Sequence, residues 1–256
     1  MNCCKYKYWY CAAALVVLTI GGCATKRTAK SSMPQGDSRP TSQPIAGDPG
    51  ASATIGANPS QADDKTAVLF DGSSWADWQS KDGSQSPWVL QDDGSIKSTG
   101  SDAVTNKSFG DFQLHLEFFC PEMPDAKGQA RSNSGVYLHG RYEIQILDTF
   151  GLEPAGNGCG ALYSIAPPMV NASRPPGKWQ TYDIVFRAPR FDNEDKVTEQ
   201  PRVTVMHNGI VIHNNLEVTN TTPGGIDREM VKTGPLLLQF HGDPVRYRNI
   251  WIRSLD

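Results

Sequence analysis

One short segment, residues 133–148, concentrates the side chains best suited to acid–base or sugar-binding chemistry. Its sequence is NSGVYLHGRYEIQILD. Glu143 supplies a carboxylate, Gln145 an amide, His139 an imidazole and Arg141 a guanidinium. Groups of these types can move protons or hydrogen-bond to sugar hydroxyls. Half-solvated antiparallel sheets show the same alternation without any function, so the pattern alone leaves both interpretations open.

The alternation within this segment predicts two β-strands that meet at Gly140. Successive side chains of a strand point to opposite faces. Each strand therefore has an apolar face for a core and a polar face, which carries His139 in the first strand and Glu143 with Gln145 in the second. The apolar positions are Val136, Leu138, Tyr142, Ile144 and Ile146.

Short strand patterns of the same kind recur through residues 67–256, without strong helical periodicity or an internal repeat. Asn208-Gly209 lies between two such patterns and is a strong β-hairpin signal, and Asp93-Gly94 is a second. This length suits one domain, and many short alternating strands predict an all-β sandwich or barrel. The residues expected to point inward are Phe112, Leu114, Leu116, Phe118, Val136, Leu138, Ile144, Ile146, Val185, Val203, Val205, Leu236, Leu238, Ile250 and Ile252.

The start of the chain predicts export. Residues 1–22 combine Lys5 and Lys7 with an apolar run at 12–20 that is too short to span a bilayer. Ile20-Gly21-Gly22-Cys23 resembles a bacterial lipobox, in which the cysteine becomes the acylated first residue. An ordinary secretory signal with a chance cysteine is the alternative. Acyl chains on Cys23 would hold a soluble domain on a membrane.

A flexible spacer is predicted between the lipidated cysteine and the domain, so that the chain divides into 1–22, 23–66 and 67–256. Residues 24–66 are rich in Ser, Pro, Gly, Thr and Ala and cannot bury enough apolar surface to offset ordering entropy. Ala24 follows Cys23, and by resemblance to Gram-negative sorting rules this favours the outer membrane. We therefore expect a cell-envelope protein, on the outer membrane or its periplasmic face, that contacts the membrane only through its lipid.

The net charge of the chain limits the classes of molecule that it can bind. Removing residues 1–22 leaves 22 basic and 27 acidic residues, a formal charge of −5. An acidic chain without a basic run argues against nucleic acid as a partner.

Cys120 and Cys159 remain in the predicted domain, either as a disulfide or as unpaired buried thiols. Neither cysteine spacing nor histidine spacing suits zinc, and no metal or cofactor is expected.

The order of several sequence blocks across residues 67–256 resembles the 3-keto-disaccharide hydrolase domain family. The blocks include LFDG, FGDFQLHLEF, NSGVYLHGRYEIQILD, CGALYSIAPP and GPLLLQFHGDPVRYRNIWIR. The resemblance implies a concanavalin A-like jelly-roll β-sandwich of two antiparallel sheets. It also implies an exported enzyme that acts on glycosides whose glucose unit is oxidised at C3.

The second predicted strand also resembles the active strand of laminarinase-type glycosidases, with an informative departure. Those enzymes carry Glu-x-Asp-x-Glu, or the same motif with one added residue. Here Gln145 stands in the middle position and Asp148 in place of the second Glu. A retaining glycosidase needs two carboxyls roughly 5–5.5 Å apart, and Asp148 is a shorter side chain. Ordinary double-displacement hydrolysis is therefore disfavoured.

A 3-keto sugar offers a route that needs only one carboxylate. The ketone acidifies the proton on C2, and the oxygen on C1 can leave once that proton is removed. Glu143 is the predicted base, His241 the acid or base beside it, and Arg141 the ligand of the enolate or a hydroxyl. Substrate contacts are predicted for Asn133, Gln145, Asp148, Tyr163, Trp179, Gln239, Arg246 and His139.

A non-catalytic carbohydrate-binding lipoprotein of the cell envelope is the alternative function. The shape of the site distinguishes an enzyme from a binding protein. A pocket that converges on Glu143 and His241 favours an enzyme, and a shallow aromatic platform favours binding alone.

Overall fold

The structure is a computed structural model that describes residues 64–256, and antiparallel strands are its main regular structure. The predicted signal peptide, Cys23 and nearly all of the predicted spacer lie outside the described residues. Within residues 64–256, no helix has the length and apolar character needed to cross a membrane. The described helical structure is one 3₁₀ turn at Gly128–Ala130.

Fifteen strands are present in the described part of the chain. They are β1 (Thr66–Phe70), β2 (Trp78–Ser80), β3 (Val89–Leu90), β4 (Ile96–Lys97), β5 (Ala103–Phe109), β6 (Phe112–Phe119), β7 (Ser134–Leu138), β8 (Tyr142–Ile146), β9 (Trp179–Arg187), β10 (Arg190–Phe191), β11 (Val197–Glu199), β12 (Arg202–His207), β13 (Ile210–Glu217), β14 (Gly234–Leu238) and β15 (Arg246–Ser254).

Two large antiparallel sheets form the predicted jelly-roll sandwich. The larger sheet has the order β13-β12-β9-β6-β15-β4-β3, with β1 paired to β15 as its eighth strand. The smaller sheet has the order β2-β5-β14-β7-β8. A separate two-stranded ribbon pairs β10 with β11 around the polar residues 192–196.

The inner faces of the two sheets share one apolar core, as the alternation of residues predicts. All the predicted inward residues are buried except Val185, which is 42% exposed. Val185 is paired with Gln113 on β6 and Thr204 on β12, whereas Ile184 is paired with Leu114. The register thus places Ile184 inside and Val185 outside, and the inward assignment of Val185 is wrong.

The structure confirms the hairpin predicted at Asn208-Gly209 and leaves the two predicted-domain cysteines unpaired. Asn208 and Gly209 join β12 to β13 with φ values of 52° and 79°, as a two-residue hairpin loop requires. Cys120 and Cys159 are both buried and unpaired. The Cys159 sulfur lies 3.3 Å from the Tyr182 hydroxyl. The structure therefore favours the alternative of two buried thiols.

Candidate active site

A cavity of about 230 Å³ opens on the outer face of the smaller sheet, opposite the face that packs in the core. The side chains around it offer one carboxyl, one imidazole, two phenols and four amides. Among the described residues, none of those that line it is Lys or Arg. The lining residues are Gln129, Asn133, Tyr137, Glu143, Gln145, Tyr163, Pro223, Gly224, Gln239 and His241.

The register of β7 against β8 gathers the centre of this site. Tyr137 is paired with Glu143, and Gly135 with Gln145. Directly paired residues of antiparallel strands share a face, so these four positions lie on the cavity side. The intervening Val136 and its partner in β8 are fully buried in the core. The alternation in the sequence thus correctly predicts which residues of these strands face outward.

Glu143, the one carboxyl among the residues that line the cavity, has a strongly raised pKa. Its residue is only 3% exposed. Burial raises the pKa of the Glu143 carboxyl from 4.5 to about 8; a hydrogen bond with Tyr137 opposes the shift and the nearby negative charge of Asp102 adds to it. Burial disfavours the charged form of a carboxyl, so Glu143 holds its proton up to mildly alkaline pH. Such a pKa is typical of functional sites.

Gly135 makes room for this carboxyl group. A Cβ atom at position 135 would lie 2.9 Å from Cγ of Glu143 and 3.0 Å from its Cδ, with Oε1 closer still. The Glu143 side chain therefore lies directly over the backbone of the neighbouring strand. With its amide turned so that donors face acceptors, Gln145 donates to Oε1 of Glu143 at 3.0 Å and to the Ser134 carbonyl at 2.8 Å.

Tyr137 connects the carboxyl to the wall of the cavity, and sequence reasoning missed it as a site residue. Its hydroxyl donates to the Pro223 carbonyl at 2.9 Å and accepts from Nε2 of Gln239 at 3.1 Å. Burial, followed by the charge of Glu143, raises the pKa of this phenol, which keeps it protonated as a donor. The signal for Tyr137 was available, because it alternates with Val136 and Leu138 on the polar face.

Six of the predicted site residues meet in the cavity: Glu143, His241, Asn133, Gln145, Tyr163 and Gln239. His241 is exposed at the cavity. Nδ2 of Asn133 donates to the Gln129 carbonyl at 2.8 Å, and the Asn133 backbone N–H donates to Asp243 at 2.7 Å. These bonds hold Asn133 rigidly at the edge of the site.

Arg141 and His139 lie away from the cavity lining, contrary to expectation. Nε of Arg141 donates to Asp227 at 2.6 Å and Nη1 donates to the His139 carbonyl at 2.7 Å. His139 has a φ of 51° and ends the alternation at the turn. Its ring packs 4.7 Å from that of Phe186 in the interior, with Nε2 3.1 Å from the Gly110 carbonyl.

Three further predicted contacts also lie outside the cavity lining. Asp148 is 4% exposed and is paired with Arg131, which occupies its carboxylate. Arg246 and Trp179 belong to strands of the larger sheet. Arg246 is paired with Asp93 at 2.8 Å, and the Trp179 ring carries the Arg248 guanidinium at 4.1 Å. The structure corrects all three placements.

Three residues that line the cavity from turns or loops were not predicted from the sequence. Gln129 belongs to the 3₁₀ turn, while Pro223 and Gly224 belong to the loop between β13 and β14. None of these positions lies in a periodic pattern. A Cβ at Gly224 would come within 2.6 Å of the Tyr137 hydroxyl, which shows how closely this loop packs on the site.

A jelly-roll sandwich with an open, amide- and phenol-lined cavity around one buried carboxyl defines a carbohydrate-active protein. The chain belongs to the 3-keto-alpha-glucoside-1,2-lyase-like domain family, whose model matches residues 65–253. The family resemblance seen in the sequence is thereby confirmed. No functionally curated protein is similar enough in sequence to match the chain.

Solved structures support the same assignment. A crystal structure of a candidate glycosyl hydrolase from Parabacteroides distasonis ATCC 8503 is 36% identical, with a TM-score of 0.68 over 75% of this chain and 84% of that one. A second from the same organism is 21% identical, with a TM-score of 0.57 over 75% of this chain and 94% of that one. At that identity the second similarity shows the fold alone.

Proposed function

We propose that this protein cleaves 3-keto-glycosides by removing the proton on C2, expelling the C1 substituent and adding water. The observation that carries the proposal is the isolation of Glu143. Among the described residues it is the one carboxyl that lines the cavity, and Asp148 is held by Arg131. Retaining and inverting glycosidases both use a pair of carboxyls, so the substrate must supply the missing activation.

The first step suits the pKa of Glu143. A carboxylate whose conjugate acid has a pKa near 8 is a stronger base towards a carbon acid than an exposed carboxylate. Glu143 takes the proton from C2, and the electrons pass to the ketone oxygen as an enolate. Nε2 of Gln239 is the donor for that oxygen, because the amide carries a second N–H besides the one that it donates to the Tyr137 hydroxyl at 3.1 Å.

Collapse of the enolate then breaks the bond between C1 and the glycosidic oxygen. His241 donates a proton to the departing oxygen, and an unsaturated keto sugar remains. Water adds across its C1–C2 double bond, with a hydroxyl on C1 and a proton on C2, to give the free 3-keto sugar. The first half is an elimination and the sum is a hydrolysis.

The binding-only alternative has less support. A platform for binding would present exposed aromatic faces, whereas this cavity brings Glu143 and His241 together. We propose in addition that the enzyme is exported and anchored through lipid on Cys23, at the outer membrane or its periplasmic face. The motive is the Ile20-Gly21-Gly22-Cys23 junction behind an apolar run.

The decisive experiment compares a panel of 3-keto-disaccharides with their unoxidised parents, using the wild-type chain and Glu143→Gln. We expect the keto forms to be cleaved and the parents to be poor substrates. Glu143→Gln should fold normally and lose several orders of magnitude in rate, and deuterium at C2 should slow the wild-type reaction or exchange with solvent. Equal cleavage of the parents, or full retention of C2 deuterium through turnover, would refute the elimination route.

A further inference from the structure

Lys81 and Asp102 form an ion pair outside the lining of the active-site cavity. Nζ of Lys81 lies 2.9 Å from Oδ2 of Asp102, and the two side chains are 38% and 14% exposed. Lys81 directly follows β2 and Asp102 directly precedes β5, and the last residue of β2, Ser80, is paired with Ala103 on β5. The pairing of the two strands therefore brings the two charges together.

Lys81 fastens the loop that forms part of the cavity wall. Its ammonium also donates to the Gly224 carbonyl at 2.9 Å. The preceding carbonyl, of Pro223, accepts from the Tyr137 hydroxyl at 2.9 Å, and that hydroxyl accepts from Nε2 of Gln239 at 3.1 Å. Three hydrogen bonds and one peptide link therefore connect Lys81 to the amide that is the proposed donor to the enolate oxygen.

Asp102 holds the backbone at the end of β14. Its Oδ1 accepts from the Phe240 backbone N–H at 2.9 Å. Phe240 lies between Gln239 and His241, which both line the cavity. The Asp102 carboxylate thus fixes the short backbone segment from which both of these side chains extend.

We propose that Lys81 and Asp102 are positioning residues for the reaction at Glu143, which hold Gln239 and His241 in place. The ammonium fixes the loop and the carboxylate fixes the strand end, and their mutual attraction keeps the two parts of the wall in one arrangement. A displacement of about 1 Å in a reacting group can cost on the order of 10²-fold in rate. The inference rests on the proposed function, because it concerns the donor and the acid of that reaction.

The same pair affects the charge near Glu143. Burial is the main cause of the raised pKa of Glu143, and the negative charge of Asp102 adds to it. The ammonium of Lys81 opposes that contribution because it carries the opposite charge 2.9 Å away. Asp102→Asn should therefore lower the pKa of Glu143, and Lys81→Met should raise it. The other titratable side chains that face the carboxyl are Tyr137 on β7, Tyr163 after β8 and His241 after β14.

The test compares wild type with Lys81→Met on a 3-keto-disaccharide and on a nitrophenyl 3-keto-glucoside, whose aglycone leaves without a proton from His241. We expect kcat on the disaccharide to fall by about tenfold to a hundredfold with KM nearly unchanged, because the displaced groups act in the transition state. The loss should be smaller on the nitrophenyl substrate. Lys81→Arg should restore most of the rate, since a guanidinium can donate both to Asp102 and to the Gly224 carbonyl.

Lys232→Met is the matched control, because it breaks an exposed pair with Asp195 at 2.7 Å, and it should keep the wild-type rate. Thermal unfolding of Lys81→Met should change little, because a partly exposed ion pair contributes little stability. Asp102→Asn keeps an oxygen for the Phe240 N–H. With the nitrophenyl substrate, the acid limb of kcat/KM should move to lower pH in Asp102→Asn and to higher pH in Lys81→Met.

Unchanged kcat in Lys81→Met, an equal loss on both substrates, or a pH profile that stays in place in both variants would overturn the inference. If the wild-type chain cleaves no 3-keto-glycoside, the proposed function fails, and NMR then decides the inference alone. The side-chain amide signals of Gln239 and the ring signals of His241 should shift in Lys81→Met and stay in place in Lys232→Met. Signals that do not move in Lys81→Met would refute the positioning role.

Discussion

Replacing Gly135 with alanine is the sharpest test of how the site is built. The added methyl group would lie 2.9 Å from Cγ of Glu143 and 3.0 Å from its Cδ, and nearer still to Oε1, whereas ordinary contact begins at 3.4 Å. The carboxyl must therefore retreat by about 1 Å, a displacement that can cost on the order of 10²-fold in rate. That loss corresponds to about 2.7 kcal/mol of transition-state stabilisation.

Stability should hardly change in this variant. Gly135 does not have a positive φ, so alanine meets no backbone strain there. Alanine at a compatible position also restricts the unfolded chain and adds roughly 0.4–1 kcal/mol of stability. The side chain of Glu143 has the cavity to move into, so the clash should displace the carboxyl rather than the strand.

The assay is the initial rate of aglycone release from a 3-keto-disaccharide, measured beside a thermal melt. Gly156→Ala is the matched control, because a Cβ there meets nothing within 4 Å and its φ is not positive. We expect the control to keep its activity and Gly135→Ala to lose about two orders of magnitude in kcat/KM without a lower melting temperature. Full activity in Gly135→Ala would refute the view that the position of the Glu143 carboxyl governs the rate.

Two further predictions concern pH and anchoring. Because the proposed mechanism needs the carboxylate of Glu143, whose pKa is about 8, kcat/KM should rise with pH through that value and then level off for a 3-keto-glycoside whose aglycone leaves as an anion without a proton from His241. The folded chain holds this proton to about pH 8 and the unfolded chain releases it near 4.5, so stability should fall as pH rises between those values. Urea unfolding of Glu143→Gln at several pH values should show that decline removed, and an unchanged decline would assign it to another group. Cys23→Ser should move the protein from the membrane to the soluble periplasmic fraction, and unchanged membrane fractionation would refute the lipid anchor.

The sequence predicted the strands better than it predicted their exact faces. Strict alternation determined the inward set of β6, β7 and β8, because one face of each must be buried. Ile184, Val185 and Phe186 form an unbroken apolar run, in which periodicity cannot choose a face. The face of each residue is set by strand pairing: Val185 is paired with Gln113 and Thr204, and its side chain therefore lies on the solvent side of the sheet.

On the strands of the site, the sequence identified Glu143 and Gln145 but not Tyr137, and contacts that depend on distant partners could not be predicted. Glu143 and Gln145 follow from the alternation of a single strand. Arg141 has the right chemistry and lies two positions from Glu143, yet its role depends on Asp227, far along the chain, which binds it. No local pattern predicts the pairing of Arg141 with Asp227. A guanidinium beside the Glu143 carboxyl was therefore a reasonable expectation from sequence, and the fold places it elsewhere.

The position of Arg141 outside the cavity lining also explains why the Glu143 carboxylate remains a comparatively strong base. An opposite charge within a few ångströms of a carboxylate lowers its pKa by one to three units. Asp227 binds Arg141 and so diverts its charge, while the polar groups near Glu143 are the neutral donors of Tyr137 and Gln145. Neutral donors can stabilise an enolate without making the base much weaker. A single basic carboxylate among neutral donors suits a substrate whose own ketone activates the C2 proton, and it suits an unactivated glycoside poorly.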